Sequence, residues 1–152
     1  MSISGIACIM YNLRFDLISL LLCFTLRRMP LVQDIVNSRY FISGYQENAV
    51  MVNNTAYRKS LILAADYLHH PWVVNHIDDL NDEQLQLVFS LKPDVVLLGT
   101  GIQQQFPAAR VRACFGQKGI GLEVMGNGAL CRTFNILVAE NRAVVAAILL
   151  NN

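Results

Sequence analysis

The sequence predicts an α/β domain in which an N-terminal β-meander is followed by a β-α-β-α-β run. Two observations predict it. Between residues 39 and 64, short β-prone runs are separated by turns far too short for a parallel crossover, so neighbouring strands must be antiparallel. From residue 81 onward, continuous apolar runs alternate with helical patterns, which favours right-handed crossovers and helices covering a sheet. At 152 residues the chain fits one domain, large enough to bury a core without staples.

The elements follow in order. Residues 39–43 (RYFIS) and 49–53 (AVMVN) read as strands joined by the turn residues 44–48. Asn53, Asn54 and Thr55 form a second turn into a third meander strand at 60–64 (SLILA), and residues 72–74 after Pro71 add a short edge segment. Asn81 is an N-cap, with Asp82 and Glu83 in the positively polarised first turn and Gln84 three residues on. The helix it opens carries Leu85, Val88, Phe89 and Leu91 as an apolar stripe, and Pro93 stops it. Residues 94–98 (DVVLL) form a strand of the kind buried on both faces. A helix at about 107–117 takes Pro107 into its first turn. A strand at 120–125, a helix at 128–140 and a long apolar strand at 143–150 complete the run.

Hydrophobic residues make up 54% of the chain and charged residues 15%, and much of that apolar excess sits in the first 28 residues. From Met29 onward nine basic and ten acidic residues nearly cancel, which excludes the clustered basic surface that nucleic acid or an anionic membrane requires. The apolar run at 17–26 is half of the roughly 20 residues a transmembrane helix needs, so no stable span is expected. It lacks the basic start and small-residue cleavage site of a signal peptide. Residues 1–28 are therefore expected to be an extension outside a single domain at 29–152, with translation beginning at Met29. A membrane-associated segment and a docked extra helix are the alternatives. Cys8, Cys23, Cys114 and Cys131 contain no C-x-x-C pair, which points to a reducing cytoplasm.

Two loops qualify as a site, because ligands in open α/β sheets sit beyond the carboxyl ends of the strands. The first is Gly99-Thr100-Gly101. Its glycines would let backbone N–H groups approach an anion, but it lacks the third glycine of a dinucleotide fingerprint and the Gly-Lys-Ser/Thr of a nucleotide loop, so a plain tight turn is the better account. The second runs from Glu123 through Gly126, Asn127 and Gly128 into Cys131, Arg132, Thr133 and Asn135. Asn127 is the expected N-cap there. Cys131 lies one turn into the helix beside Arg132, where cation and helix terminus would depress its thiol pKa, but no base is placed near it, and the favoured reading is a small buried apolar residue. The helix is apolar nearly all round, so Arg132 is expected to be buried and to need a partner. Glu123 is the structural candidate, and an anionic ligand oriented by Thr133 and Asn135 is the functional one. His69, His70 and His76 carry no ligand spacing, so no metal or cofactor is expected.

Lys92-Pro93-Asp94, Leu97 through Gly101, Phe106-Pro107, Gly119 through Met125, Cys131 through Leu137 and Glu140-Asn141-Arg142 together resemble the domain-of-unknown-function family numbered four-nine-eight. The resemblance covers roughly residues 39–150. That family includes the mitochondrial respiratory complex I assembly factor three and an adipogenesis-associated protein. The resemblance implies a three-layer domain with a mixed central sheet, one that admits a final strand antiparallel to the others. The chain departs from the family at Gly126 and Asn127, where Asp or Ser and then Thr are usual, and at Leu130 and Phe134, where Ala and Tyr are usual. Those losses weigh against acid/base chemistry at the loop. The expected function is a non-enzymatic interaction or assembly role, with respiratory complex subunits as partners by resemblance. The alternative is binding of a small anion, or thiol chemistry, at the Gly99–Gly101 and Gly126–Arg132 loops.

Overall fold

The computed structural model describes residues 38–150, so the expectations for residues 1–28, including the apolar run at 17–26, lie outside the described residues. The described residues form two sheets. A small one takes β1 (Ile42–Gln46), β2 (Ala49–Val52) and β3 (Thr55–Tyr57) in antiparallel order. The larger has the order β5-β4-β8-β6-β7, built from β4 (Leu61–Ala64), β5 (Leu68–His69), β6 (Val95–Gly99), β7 (Gly121–Met125) and β8 (Val144–Ile148). Three helices, α1 (Asp82–Ser90), α2 (Ala109–Gln117) and α3 (Asn127–Ala139), supply the crossovers, and a short 3-10 turn at Ile77–Asp79 precedes α1.

The meander exists, but its third strand is not the expected one. Asn53 and Asn54 both adopt positive φ, as a type I′ hairpin turn requires, and fold β3 straight back on β2. The next strand, β4, leaves for the large sheet and pairs antiparallel with β8. The final strand is also corrected: β8 lies parallel to β6, and β4, antiparallel to both its neighbours, is what makes the sheet mixed. Trp72 and Val74 are buried, yet they pack as irregular chain while the edge strand forms earlier, at Leu68–His69.

Every residue of β6 and β8 is buried, as continuous apolar strands covered on both faces should be. Alternate side chains separate two cores. One face packs Leu61, Leu63, Leu97 and Ala146 against α3 and the small sheet. The other packs Ile62, Val96, Leu98 and Val145 against α1, α2 and the 3-10 turn. The result is three layers. Each helix ends in a residue with positive φ (Lys92, Gly119, Asn141), the left-handed cap that releases the chain toward the next strand.

What holds the small sheet to α3 is a side chain. Asn135 accepts from the Ile42 N–H at 3.0 Å and donates to the Ile42 C=O at 2.8 Å, replacing a missing strand neighbour. Asn135→Ala therefore orphans both groups. It should lower the unfolding free energy by about 1–3 kcal/mol in urea titration and speed amide exchange in β1 ahead of the large sheet.

Candidate functional site

The two glycine loops are neighbours, as adjacent parallel strands dictate. The Thr100 N–H donates to the Met125 C=O at 3.1 Å, and the Asn127 N–H donates to the Gly101 C=O at 2.8 Å. Their chemistry differs from the expectation. Gly126, not Asn127, occupies the N-cap of α3. Asn127 is the first helical residue, and its fully buried side chain ties three segments together. Its Oδ1 accepts from the Gly101 N–H at 3.2 Å, and its Nδ2 donates to the Leu149 C=O at 2.8 Å, just past β8.

Gly99 is required by that junction. A Cβ there would collide with Asn127 Oδ1 and approach Leu130 Cδ1 to 2.9 Å. Gly101 is required by its φ of 95°. The glycines thus serve helix-to-strand closeness and a turn. Thr100 is similarly committed: buried, it donates to the Gln103 C=O at 2.9 Å and accepts from the Gln105 N–H at 3.0 Å.

Of the remaining predicted residues, Cys131, Arg132 and Asn135 line one depression with Tyr45 and Gly128, while Glu123 lies apart from them. Arg132 is exposed, contrary to the expectation that α3 would be buried all round; Ile136 on the same helix is 58% exposed. Glu123 is exposed on β7 and lines a depression beside Phe106 and Arg112, whereas Arg132 lines one formed with Tyr45 and Gly128. The two do not share a pocket. Thr133 returns its hydroxyl to the Ala129 C=O at 3.1 Å within its own helix. Cys131 is buried, and burial pushes its thiol up to about 11 despite the opposing pull of Arg132, the reverse of an activated thiol.

A cavity of about 250 Å³ does sit beyond the carboxyl ends of β6 and β8, walled by Thr100, Gly101, Gln105, Asn127 and, from the β1–β2 hairpin, Glu47 and Asn48. A wider depression of about 580 Å³ lies alongside, between Tyr45, Glu47, Ile102, Gly126 and Ala129. The hairpin residues were missed by sequence reasoning, because nothing local says that a separate small sheet overhangs the loops. Tyr45 reaches the core face that Ile42 also occupies only because a bulge between Ile42 and Gly44 shifts the register, so strand parity points the wrong way. Its hydroxyl is buried without a hydrogen-bond partner within ordinary distance among the described residues, with Asn127 the nearby polar side chain. Burial, then Cys131 and Glu47, raise its pKa above the ordinary tyrosine value. Among the described residues no group of three or more His, Cys, Asp or Glu side chains converges.

Fold and loops together define a small three-layer α/β domain with a structurally saturated junction at its sheet end. The chain belongs to the family described as "Protein of unknown function (DUF498/DUF598)", whose model matches residues 42–149. It is 27% identical to the 13 kDa major membrane protein of Francisella tularensis, over 80% of this chain and 99% of that protein. It is 32% identical to the Drosophila melanogaster NADH dehydrogenase (ubiquinone) 1 alpha subcomplex assembly factor 3, over 71% of this chain but 57% of the fly protein. Among solved structures it resembles a Xanthomonas campestris protein with TM-score 0.70 and 38% identity, over 80% of this chain and 92% of that one.

Two outcomes follow from this geometry. Asn127→Ala leaves the Gly101 N–H and Leu149 C=O unpaired and should cost roughly 2–4 kcal/mol in denaturant unfolding. Gly99→Ala should cost less in the Asn127→Ala background than alone, because the colliding amide is gone; strict additivity would reject the collision. For Cys131, alkylation at neutral pH should be slower than for free cysteine. Folding favours the protonated thiol, so this contribution to stability is complete below the unfolded thiol pKa, near 9. It should decline as pH rises toward about 11, as urea midpoints across that window would show.

Proposed function

We propose that this domain works through protein contacts and not through catalysis, as an assembly-factor-like protein for a respiratory complex. One observation carries the reading. The polar side chains at the loop junction are turned inward and spent on backbone groups, while Ile102, on the same loop, stands 65% exposed at the rim of the 580 Å³ depression. A solvent-facing apolar side chain beside a concave surface is an anchor for a partner, since its burial supplies most of what such contacts gain. The relation to the fly assembly factor supports a respiratory complex as the setting, within the part of that protein this chain matches.

A second reading, a small anion in the 250 Å³ cavity, is supported by its place beyond the carboxyl ends of parallel strands. The Glu47 carboxylate in its wall and the distance of Arg132 from its lining weigh against it. Location belongs to the same proposal: a reducing compartment, supported by the free thiols of Cys114 and Cys131. No helix of the described residues is long and apolar enough to cross a membrane, and the Francisella relative is named a membrane protein.

Affinity capture of the full chain under mild extraction should retain respiratory subunits, and Ile102→Asp should abolish that retention with the melting temperature unchanged. Capture without respiratory subunits, or retention unaffected by Ile102→Asp, overturns the proposal. Phosphate, nucleotides and small carboxylates should leave the melting temperature where it is; a ligand-dependent rise would favour the anion reading.

A further inference from the structure

The β7 edge of the large sheet has no strand beside it among the described residues. Its backbone polarity can be read from its bonds. The Gly121 N–H reaches the Asp94 C=O and the Met125 C=O accepts from Thr100, so the odd-numbered residues of β7 face β6. Leu122 and Val124 therefore turn their N–H and C=O groups outward. The Val124 C=O confirms this by accepting from Gln104 Nε2 at 2.8 Å. Beside the edge runs a groove of about 470 Å³ floored by Ile120, Leu122 and Phe115, with Phe106 69% exposed on its rim. Arg112 and Glu123 both line it, so it carries one charge of each sign.

We infer that β7 pairs with β7 of a second copy of this chain, antiparallel across a two-fold axis centred on Leu122. The register follows from which groups remain available. Centred there, each Leu122 N–H meets the Leu122 C=O of the second copy, and each Val124 N–H meets the second copy's Ile120 C=O. This register also sets the Ile120 N–H and the Val124 C=O facing each other. In the single chain the Phe115 C=O and Gln104 cap them, and in the dimer they bond each other in place of those caps. No dangling group remains. Centring on Glu123 would set two carboxylates directly opposite, which is repulsive. In the Leu122 register each Glu123 instead faces Gly121. The self-complementary groove charge suits an isologous contact, in which the same patch serves both copies. The large sheet then runs continuously through the dimer, and an otherwise open edge is closed.

Analytical ultracentrifugation of the full chain over a concentration series tests this. The expected result is a reversible dimer, with amide exchange at Leu122 and Val124 slowing as concentration rises. Gly121 is the diagnostic position, since a Cβ there meets only ordinary contacts, the nearest being the Asp94 C=O at 3.4 Å. Gly121→Glu should weaken the dimer and Gly121→Lys tighten it, each on the order of tenfold, because the new charge faces Glu123 of the second copy. Leu122→Lys, if it folds, should give monomer. A chain that stays monomeric at every concentration overturns the inference. So does a dimer whose affinity moves in the same direction for both Gly121 variants, or one that leaves Leu122 and Val124 exchange unchanged. Partner capture reads Ile102→Asp and the dimer reads the Gly121 variants, so the two outcomes are scored separately.

Discussion

The Asn127 side chain is the interaction on which the arrangement of the described residues turns. It is fully buried and joins the loop after β6 to the chain leaving β8, from the first turn of the helix that follows β7. A buried amide is tolerated only when its polar atoms are paired, and each of those atoms here has one backbone partner. The pairing demands that β6 approach α3 closely, and that closeness is why residue 99 cannot carry a side chain. One polar residue thus sets the height of a helix over the ends of β6 and β8.

The same economy recurs at Asn135, which closes a backbone group pair on β1 from α3, and at Ser60. The Ser60 hydroxyl accepts from the Leu150 N–H at 3.0 Å, while its carbonyl accepts from Trp72. Small polar side chains stand in for absent strand neighbours wherever the two sheets and the helices meet. This accounts for why residues with the look of a site are structural. Their side chains are turned onto backbone groups. Solvent at the loop meets a mixture, the apolar Ile102 and Phe106 beside the polar Gln103, Gln104 and Gln105.

Much of the architecture was legible along the chain. The Asn81 cap, whose Oδ1 accepts from the Gln84 N–H, the stop at Pro93 and the two fully buried strands are set by propensity and pattern over a few residues. The two glycine loops were legible as neighbours because sequential strands usually pair, as β6 and β7 do, although β7 and β8 do not. The candidate site was legible only in outline. Arg132 was misread because Leu130, Phe134, Ile136, Leu137 and Val138 suggested a helix buried all round. In fact α3 is covered on one side only, leaving Ile136 in water. Cys131 lies buried, as its reading as a small apolar core residue has it, and desolvation outweighs the pull of the neighbouring cation on its thiol.

The amino-acid order by itself determined the element types, their succession and the meeting of the two loops, since hydrophobic period, caps and breakers act over one or two turns of chain. Only the tertiary structure decided that residues 61–64 leave the meander for the large sheet, and that β8 runs parallel to β6. Only it decided that Asn135 finds Ile42 across 93 residues. Those outcomes depend on which buried polar groups find partners at long range, and such partners become visible only when the layers are in place.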